Sequence, residues 1–238
     1  MRYRTRKILL ADDSRGFLGL MTGILERMGF NVMQAANGAE ALGILKGGAR
    51  PDLLMLDVYM PEMDGFETLE AIKSDTGTRE VPVVMLSVDT NDATIGRCRK
   101  LGCDDYLGKP VDINSLHEVI QKMLFSMYGQ TRRHVRAELG ADVSVEYDGG
   151  REVMKATTIS EGGIYLTRKE PLPVGTEMLV GIDTGKGRVL ELEARVIYMN
   201  PFSGSMNEAP PGMALEFVGI SEGDTAALSD YILSLLTG

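Results

Sequence analysis

The hydrophobic period of this chain changes partway along, and that change constrains the fold more than any other feature. From Lys7 to about Tyr128, short continuous apolar runs alternate with amphipathic segments. The runs are Ile8 to Ala11, the weaker Asn31 to Ala35, Asp52 to Leu56, Val83 to Leu86, and Tyr106 to Leu107. Runs without polar alternation predict parallel strands buried on both faces and crossed by helices. Between them Phe17, Leu20, Met21, Ile24, Leu25 and Met28 fall on one helical stripe, as do Leu116, Val119, Ile120, Met123, Leu124 and Met127. Five such strands and five helices predict a doubly wound α/β domain with a parallel sheet, spanning residues 5–128.

After Gly129 the period becomes two. Val143, Val145 and Tyr147 alternate with Asp142, Ser144 and Glu146, and Leu190, Leu192, Ala194 and Val196 alternate with Glu191, Glu193 and Arg195. That is the pattern of half-exposed antiparallel strands. Turn chemistry at Asp148-Gly149-Gly150, Pro171 to Gly175, Gly185 to Gly187 and Pro210 to Gly212 separates them. A small antiparallel β-barrel over residues 129–238 accommodates these strands. Ser221 to Leu236 reads as a terminal helix with Ser221 as N-cap and Leu228, Ile232 and Leu235 facing inward. The seam between the halves falls near Gly129 to Thr131.

Composition narrows the function classes. With 34 acidic and 25 basic residues the net charge is -9, the wrong sign for a protein that coats DNA or an anionic membrane. No apolar run approaches the roughly 20 residues of a membrane span, and the apolar core after Lys7 is too short for a signal peptide. These features lead us to expect a cytoplasmic protein without membrane insertion. Cys98 and Cys103 lack the further partners of a zinc site and read as two reduced, partly buried thiols.

Open parallel sheets bind ligands beyond the carboxyl ends of their strands. There the first strand ends at Asp12 and Asp13, the third at Asp57 and the fourth at Ser87, and the fifth is followed by Lys109-Pro110. Three converging carboxylates repel one another unless a cation sits among them, and Mg²⁺ with retained waters suits such a set. An aspartate so placed can attack phosphorus, with a lysine and a hydroxyl neutralising the phosphoryl oxygens. Taken singly, each residue serves equally well as a strand terminator, a helix cap or a loop hydroxyl. The joint placement carries the argument.

Leu9-Leu10-Ala11-Asp12-Asp13-Ser14, Leu56-Asp57-Val58-Tyr59-Met60-Pro61-Glu62-Met63-Asp64-Gly65, Ser87, and Gly102-Cys103-Asp104-Asp105-Tyr106-Leu107-Gly108-Lys109-Pro110 together resemble the receiver domain of two-component response regulators. The resemblance covers residues 7 to about 126. It implies that Asp57 is phosphorylated by a cognate histidine kinase, and that Asp12, Asp13, Asp57 and the backbone carbonyl of Tyr59 hold Mg²⁺. It further implies that Ser87 and Lys109 contact the phosphoryl group, that Tyr106 changes rotamer as Ser87 moves, that Lys109-Pro110 is cis, and that the last helix lies on a face able to form a homodimer. Tyr59 stands two residues after Asp57, where a phosphatase would carry a second carboxylate. The expectation is therefore a phosphoacceptor with at most self-phosphotransfer and autodephosphorylation, rather than an enzyme.

In the second half, Arg132, Arg133 and Arg136 occupy a stretch free of acids from Gln121 to Ala137. Guanidinium forks suit phosphates and guanine edges, although such clusters also simply solvate a linker. His134 between them reads as a spacer. Further on, Thr158-Ile159-Ser160-Glu161-Gly162-Gly163-Ile164-Tyr165-Leu166 is followed by Pro171-Leu172-Pro173-Val174-Gly175 and closed by Gly212-Met213-Ala214-Leu215-Glu216-Phe217. With Arg132-x-x-x-Arg136 these resemble the PilZ domain, over about Gln130 to Leu236. The resemblance implies a six-stranded barrel that binds cyclic di-GMP through Arg132, Arg133, Arg136, Thr158, Ser160 and Gly163, and signals through a downstream protein the sequence does not name. Thr158 departs from the family, which has Asp or Asn there to meet a guanine edge. A second reading therefore keeps the phosphorylation switch and treats the barrel as a nucleotide-independent docking module. The output half has no helix-turn-helix period, so DNA is not an expected partner.

Overall fold

The computed structural model describes residues 5–126, 137–185, 187, 189–202 and 210–237. Arg132, Arg133, His134, Arg136 and the expected seam lie outside the described residues. The chain divides into two compact units, one of Arg6–Met123 and one of Leu124–Gly238 together with Met1–Thr5.

In the first unit β1 (Lys7–Ala11), β2 (Asn31–Ala35), β3 (Leu53–Asp57), β4 (Val83–Ser87) and β5 (Asp105–Gly108) form a parallel sheet in the order β2-β1-β3-β4-β5. Helices α1 (Arg15–Arg27), α2 (Gly38–Lys46), α3 (Gly65–Ser74), α4 (Asp92–Lys100) and α5 (Ile113–Ser126) connect and follow the strands. Strands β3 and β4 are buried at every residue, as a sheet covered on both faces requires. Each of the first four helices begins where a side chain satisfies an orphan backbone N–H: Ser14, Asn37, Asp64 and Asn91 accept from the third helical residue. At Asp64 the bond is reciprocated by Glu67, a capping box that fixes the start of α3 directly after the strand end bearing Asp57.

One expected stripe is corrected. The buried residues of α1 are Leu18, Met21 and Leu25, followed by Met28, whereas Leu20 is 65% exposed. At about 100° per residue Leu20 lies roughly 120° from the centre of that buried stripe, so it faces solvent. Cys98 is fully buried and Cys103 half-buried, both as free thiols, and burial pushes Cys103 up to about 11.

The second unit is a closed antiparallel barrel of β6 (Ala137–Tyr147), β7 (Gly150–Ser160), β8 (Gly163–Thr167), β9 (Glu177–Asp183), β10 (Val189–Asn200) and β11 (Gly212–Phe217), in the order β10-β11-β8-β7-β6-β9. A two-residue hairpin joins β6 to β7, with φ of 48° at Asp148 and 77° at Gly149. Positive φ at both central residues matches the twist of the flanking strands and favours Asp-Gly there. The period-two residues Val143, Val145, Leu190, Leu192, Ala194 and Val196 fill the interior. Alternation fails after Val196, where a bulge at Ile197 turns Tyr198 to pair with Ala214. Tyr198 and Tyr165 are fully buried without belonging to the barrel interior, and the Tyr165 hydroxyl donates to the Pro210 carbonyl at 3.1 Å.

Helix α6 (Glu222–Thr237) packs Leu228 and Ile232 into this core, with Leu235 half-buried against it. Burial of each leucine-sized side chain stabilises by about 1.5–3 kcal/mol. Leu228→Ala should therefore cost about 2–5 kcal/mol, removed contacts and residual cavity combined. Urea unfolding followed by far-UV circular dichroism checks this, and the loss should appear as a lower midpoint for the barrel transition.

Candidate functional site

The carboxyl ends of β1, β3, β4 and β5 bring one charged cluster together. Asp12 is wholly buried and Asp57 is 5% exposed, while Asp13 faces solvent. One carboxylate oxygen from each of the three lies within 4.8 Å of the others. Lys109 enters from the loop after β5, its ammonium 3.0 Å from Asp57 Oδ1 and paired also with Asp12. The Lys109 side chain is only 13% exposed, so this charge works in a poorly solvated site where it counts for more than at the surface. Three hard oxygen donors at this spacing fit a divalent cation that keeps several waters.

Backbone geometry holds the cluster. The first residue of α3, Gly65, packs so closely that a Cβ there would lie 2.1 Å from the Asp57 carbonyl oxygen and 2.8 Å from Val58 Cα. Its N–H donates to the Val58 carbonyl at 2.9 Å. Only glycine lets the helix start this near the strand end. Asp12 accepts from the Ser14 N–H at 2.9 Å, and Ser14, which accepts from the Phe17 N–H, rather than Asp12 or Asp13, caps α1. The Lys109-Pro110 bond is cis, as the resemblance implies.

Ser87 is fully buried, and its hydroxyl accepts from the Asp89 N–H at 3.0 Å. The same residue, Asp89, gathers the rest of the rim. Its carbonyl accepts from the Tyr106 hydroxyl, and its carboxylate accepts from Tyr59 at 3.3 Å, from Thr94 Oγ1 at 3.0 Å and from the Asn91 N–H at 3.1 Å. Those bonds, the Asn91 one foremost, hold the Asp89 carboxyl below its ordinary value. Half-exposed Tyr59 also sets its ring edge-on to Phe66 at 6.5 Å, and the Arg97 guanidinium lies 3.8 Å from the centroid of that same Phe66 ring. Sequence reasoning linked Tyr106 to Ser87, named Tyr59 only for its carbonyl, and missed Asp89. Its one visible signal was an Asp-x-Asn spacing just before a helix, which looks like any loop.

In the barrel, the β7–β8 hairpin aligns the expected ligand residues. Thr158 pairs with Tyr165 and Ser160 with Gly163, while Ile159 between them points into the core, so Thr158 and Ser160 share the outer face. Thr158 is half-buried; Ser160 is 2% exposed and donates to the Gly163 carbonyl at 3.4 Å. The intervening turn is fastened twice, by the Phe217 N–H donating to the Gly162 carbonyl at 3.0 Å and by the Ser229 hydroxyl of α6 donating to Glu161. The structure thus joins Thr158, Ser160 and Gly163; the three arginines lie outside the described residues.

Burial pushes the Asp57 carboxyl up from its ordinary value; Lys109 opposes this by hydrogen bond and charge, and the charges of Asp12 and Asp13 add to the rise. A raised acid contributes stability below its unfolded value and loses it as pH rises through the folded one. Asp57→Asn should therefore melt higher than the unsubstituted chain at neutral pH in EDTA, and the gain should shrink as pH falls towards about 4. Thermal melts across that range check the sign.

Comparison with known proteins agrees with both halves. The family described as response regulator receiver domain matches residues 8–121, and the PilZ domain matches residues 130–234. The transcriptional regulatory protein CpxR of Escherichia coli (strain K12) is 40% identical over 118 residues, covering 50% of this chain and 49% of that protein. The two-component response regulator ORR5 of Oryza sativa subsp. japonica is 32% identical over 117 residues, covering 49% of this chain and 87% of that protein. Among solved structures, chemotaxis protein CheY4 of Vibrio cholerae is 30% identical with a TM-score of 0.48, covering 50% of this chain and 99% of that one. This chain spans about half the length of the first of these curated relatives. No helix among the described residues is long and apolar enough to cross a membrane. With its acidic cluster, apposed lysine and matched segments, the chain belongs to the two-component response regulators and joins a receiver domain to a PilZ domain.

Proposed function

We propose that this chain is a phosphorylation-controlled cyclic di-GMP effector. A histidine kinase phosphorylates Asp57, the PilZ domain binds the cyclic dinucleotide, and the combined state is read by a downstream protein. The observation that carries this reading is the Lys109 ammonium 3.0 Å from Asp57 Oδ1, in a pocket lined by two further carboxylates.

The chemistry follows from those residues. Asp57, as carboxylate, attacks phosphorus of a phosphohistidine; a P–O bond forms, the P–N bond breaks and the imidazole leaves with the electron pair. Lys109 then turns its charge from Asp57 to a phosphoryl oxygen, and the Ser87 hydroxyl donates to another, releasing the bond it now accepts from Asp89. Because the Asp89 carbonyl anchors Tyr106, withdrawal of Ser87 loosens the Tyr106 hydroxyl and frees its rotamer. Asp12, Asp13, Asp57 and the Tyr59 carbonyl would hold Mg²⁺, which supplies charge neutralisation of the phosphoryl oxygens when bound. No residue in this set activates water for turnover, so the protein acts as a phosphoacceptor with at most self-phosphotransfer and autodephosphorylation. A homodimer through the receiver domain is compatible with this scheme.

For the barrel, Arg132, Arg133 and Arg136 supply charge-assisted bonds to the two phosphates of the ring, and Ser160 with Gly163 shapes the hairpin against it. Thr158 favours the second reading, a barrel that docks a protein without nucleotide, because its single hydroxyl replaces the amide or carboxylate that would meet guanine.

Two measurements test the proposal. Labelling by acetyl phosphate with Mg²⁺ should be stoichiometric and vanish in Asp57→Asn; persistent labelling would contradict the assignment of Asp57. Calorimetry should show one cyclic di-GMP site lost in Arg132→Ala/Arg136→Ala, each arginine contributing about 1.5–3 kcal/mol. Absence of binding by the unsubstituted chain would leave the docking-module reading.

A further inference from the structure

Lys109 is enclosed on three sides, and one of the three is not a charge. Asp12 and Asp57 flank its ammonium, and the face of the Phe17 ring lies 4.4 Å from Nζ. The electron-rich face of an aromatic ring attracts an ammonium, and the attraction strengthens where water is excluded, as it is around this largely buried side chain.

The placement of Phe17 is built rather than incidental. Ser14 caps α1 by accepting from the Phe17 N–H at 3.4 Å, which makes Phe17 the third helical residue. Helical side chains lean towards the N-terminus, so from there the ring reaches back over the strand ends where Asp12 and Lys109 stand. Leu18, not Phe17, supplies the buried anchor of the first turn, and Phe17 itself is only half-buried. Helix packing therefore leaves its ring free to face the site.

We propose that Phe17 is a positioning residue for the phosphoacceptor site, its ring face holding the Lys109 ammonium against Asp57 and, after transfer, against the phosphoryl group. A lysine stem has four rotatable bonds, and of the two carboxylates Asp12 holds its head the more closely, drawing it away from Asp57. The ring closes the remaining side and narrows the arc the head can sweep, so that it stays within reach of the nucleophile. Phosphoryl capture, not the fold, is what this contact serves.

The inference rests on the phosphoacceptor reading of Asp57. Beryllofluoride with Mg²⁺, titrated into the full chain by calorimetry, tests it with Phe17→Leu and Phe17→Tyr. Phe17→Leu keeps an apolar side chain and removes the ring; it should weaken beryllofluoride binding about three- to thirtyfold, with the melting temperature little changed. Phe17→Tyr keeps the face and should stay within about twofold of the unsubstituted chain. The Lys109 ε-methylene proton resonances, shifted upfield by the ring, should return towards the ordinary lysine position in Phe17→Leu and not in Phe17→Tyr. Unchanged affinity in Phe17→Leu overturns the inference, as does equal loss in both variants, or loss of affinity without the resonance shift. If the unsubstituted chain fails to bind beryllofluoride, the phosphoacceptor reading falls and the inference with it, an outcome distinct from binding that ignores Phe17.

Discussion

The first domain depends on one electrostatic constraint: carboxylates gathered in a site with little water must be offset by positive charge. Asp12 and Asp57 are both buried, and Lys109 reaches each of them. Isolated, a buried carboxylate would take up a proton. The parallel sheet supplies the convergence, because β1, β3 and β5 all deliver their last residues to the same edge. Gly65 lets α3 begin against the backbone of Asp57, and the Asp64–Glu67 box fixes that beginning. Local capping, sheet topology and charge balance thus act on the same few atoms.

Asp89 extends this constraint outward. It touches Ser87 through its N–H, Tyr106 through its carbonyl, and Tyr59 and the start of α4 through its carboxylate. Hydrogen bonds through Asp89 therefore connect Ser87 to two tyrosines and the start of one helix. The barrel is organised differently. Its interior is apolar, while the β7–β8 hairpin is tied to β11 and α6 through Gly162 and Glu161.

Strong periodicity made most of this fold legible. Fully buried runs such as Val83 to Leu86 can hardly be anything but central parallel strands, and the alternating run from Leu190 to Val196 points one face inward as read. Where periodicity was ambiguous, reading faltered for physical reasons. The apolar residues of α1 cover more than the docked stripe, so Leu20 was placed inward when only Leu18, Met21 and Leu25 dock. The bulge at Ile197 inverts the phase of β10 with no glycine or proline to announce it. The charged site was legible because its residues terminate strands, a position sequence can mark. Asp89 and Phe17 were not, since their roles come from contacts across elements: a loop carboxylate reaching tyrosines on two other segments, and a helical ring lying over a lysine distant in sequence.

The central claim is that phosphorylation and nucleotide binding are linked in one chain. If so, the linkage is reciprocal: whatever phosphorylation does to cyclic di-GMP affinity, the nucleotide does to the stability of the phosphorylated state. Calorimetric titration of cyclic di-GMP into the full chain, with Mg²⁺ alone and with Mg²⁺ plus beryllofluoride, measures it directly. The account predicts dissociation constants that differ by about fivefold or more between the two states. Identical affinities would contradict it and leave two domains that share a chain without sharing a signal.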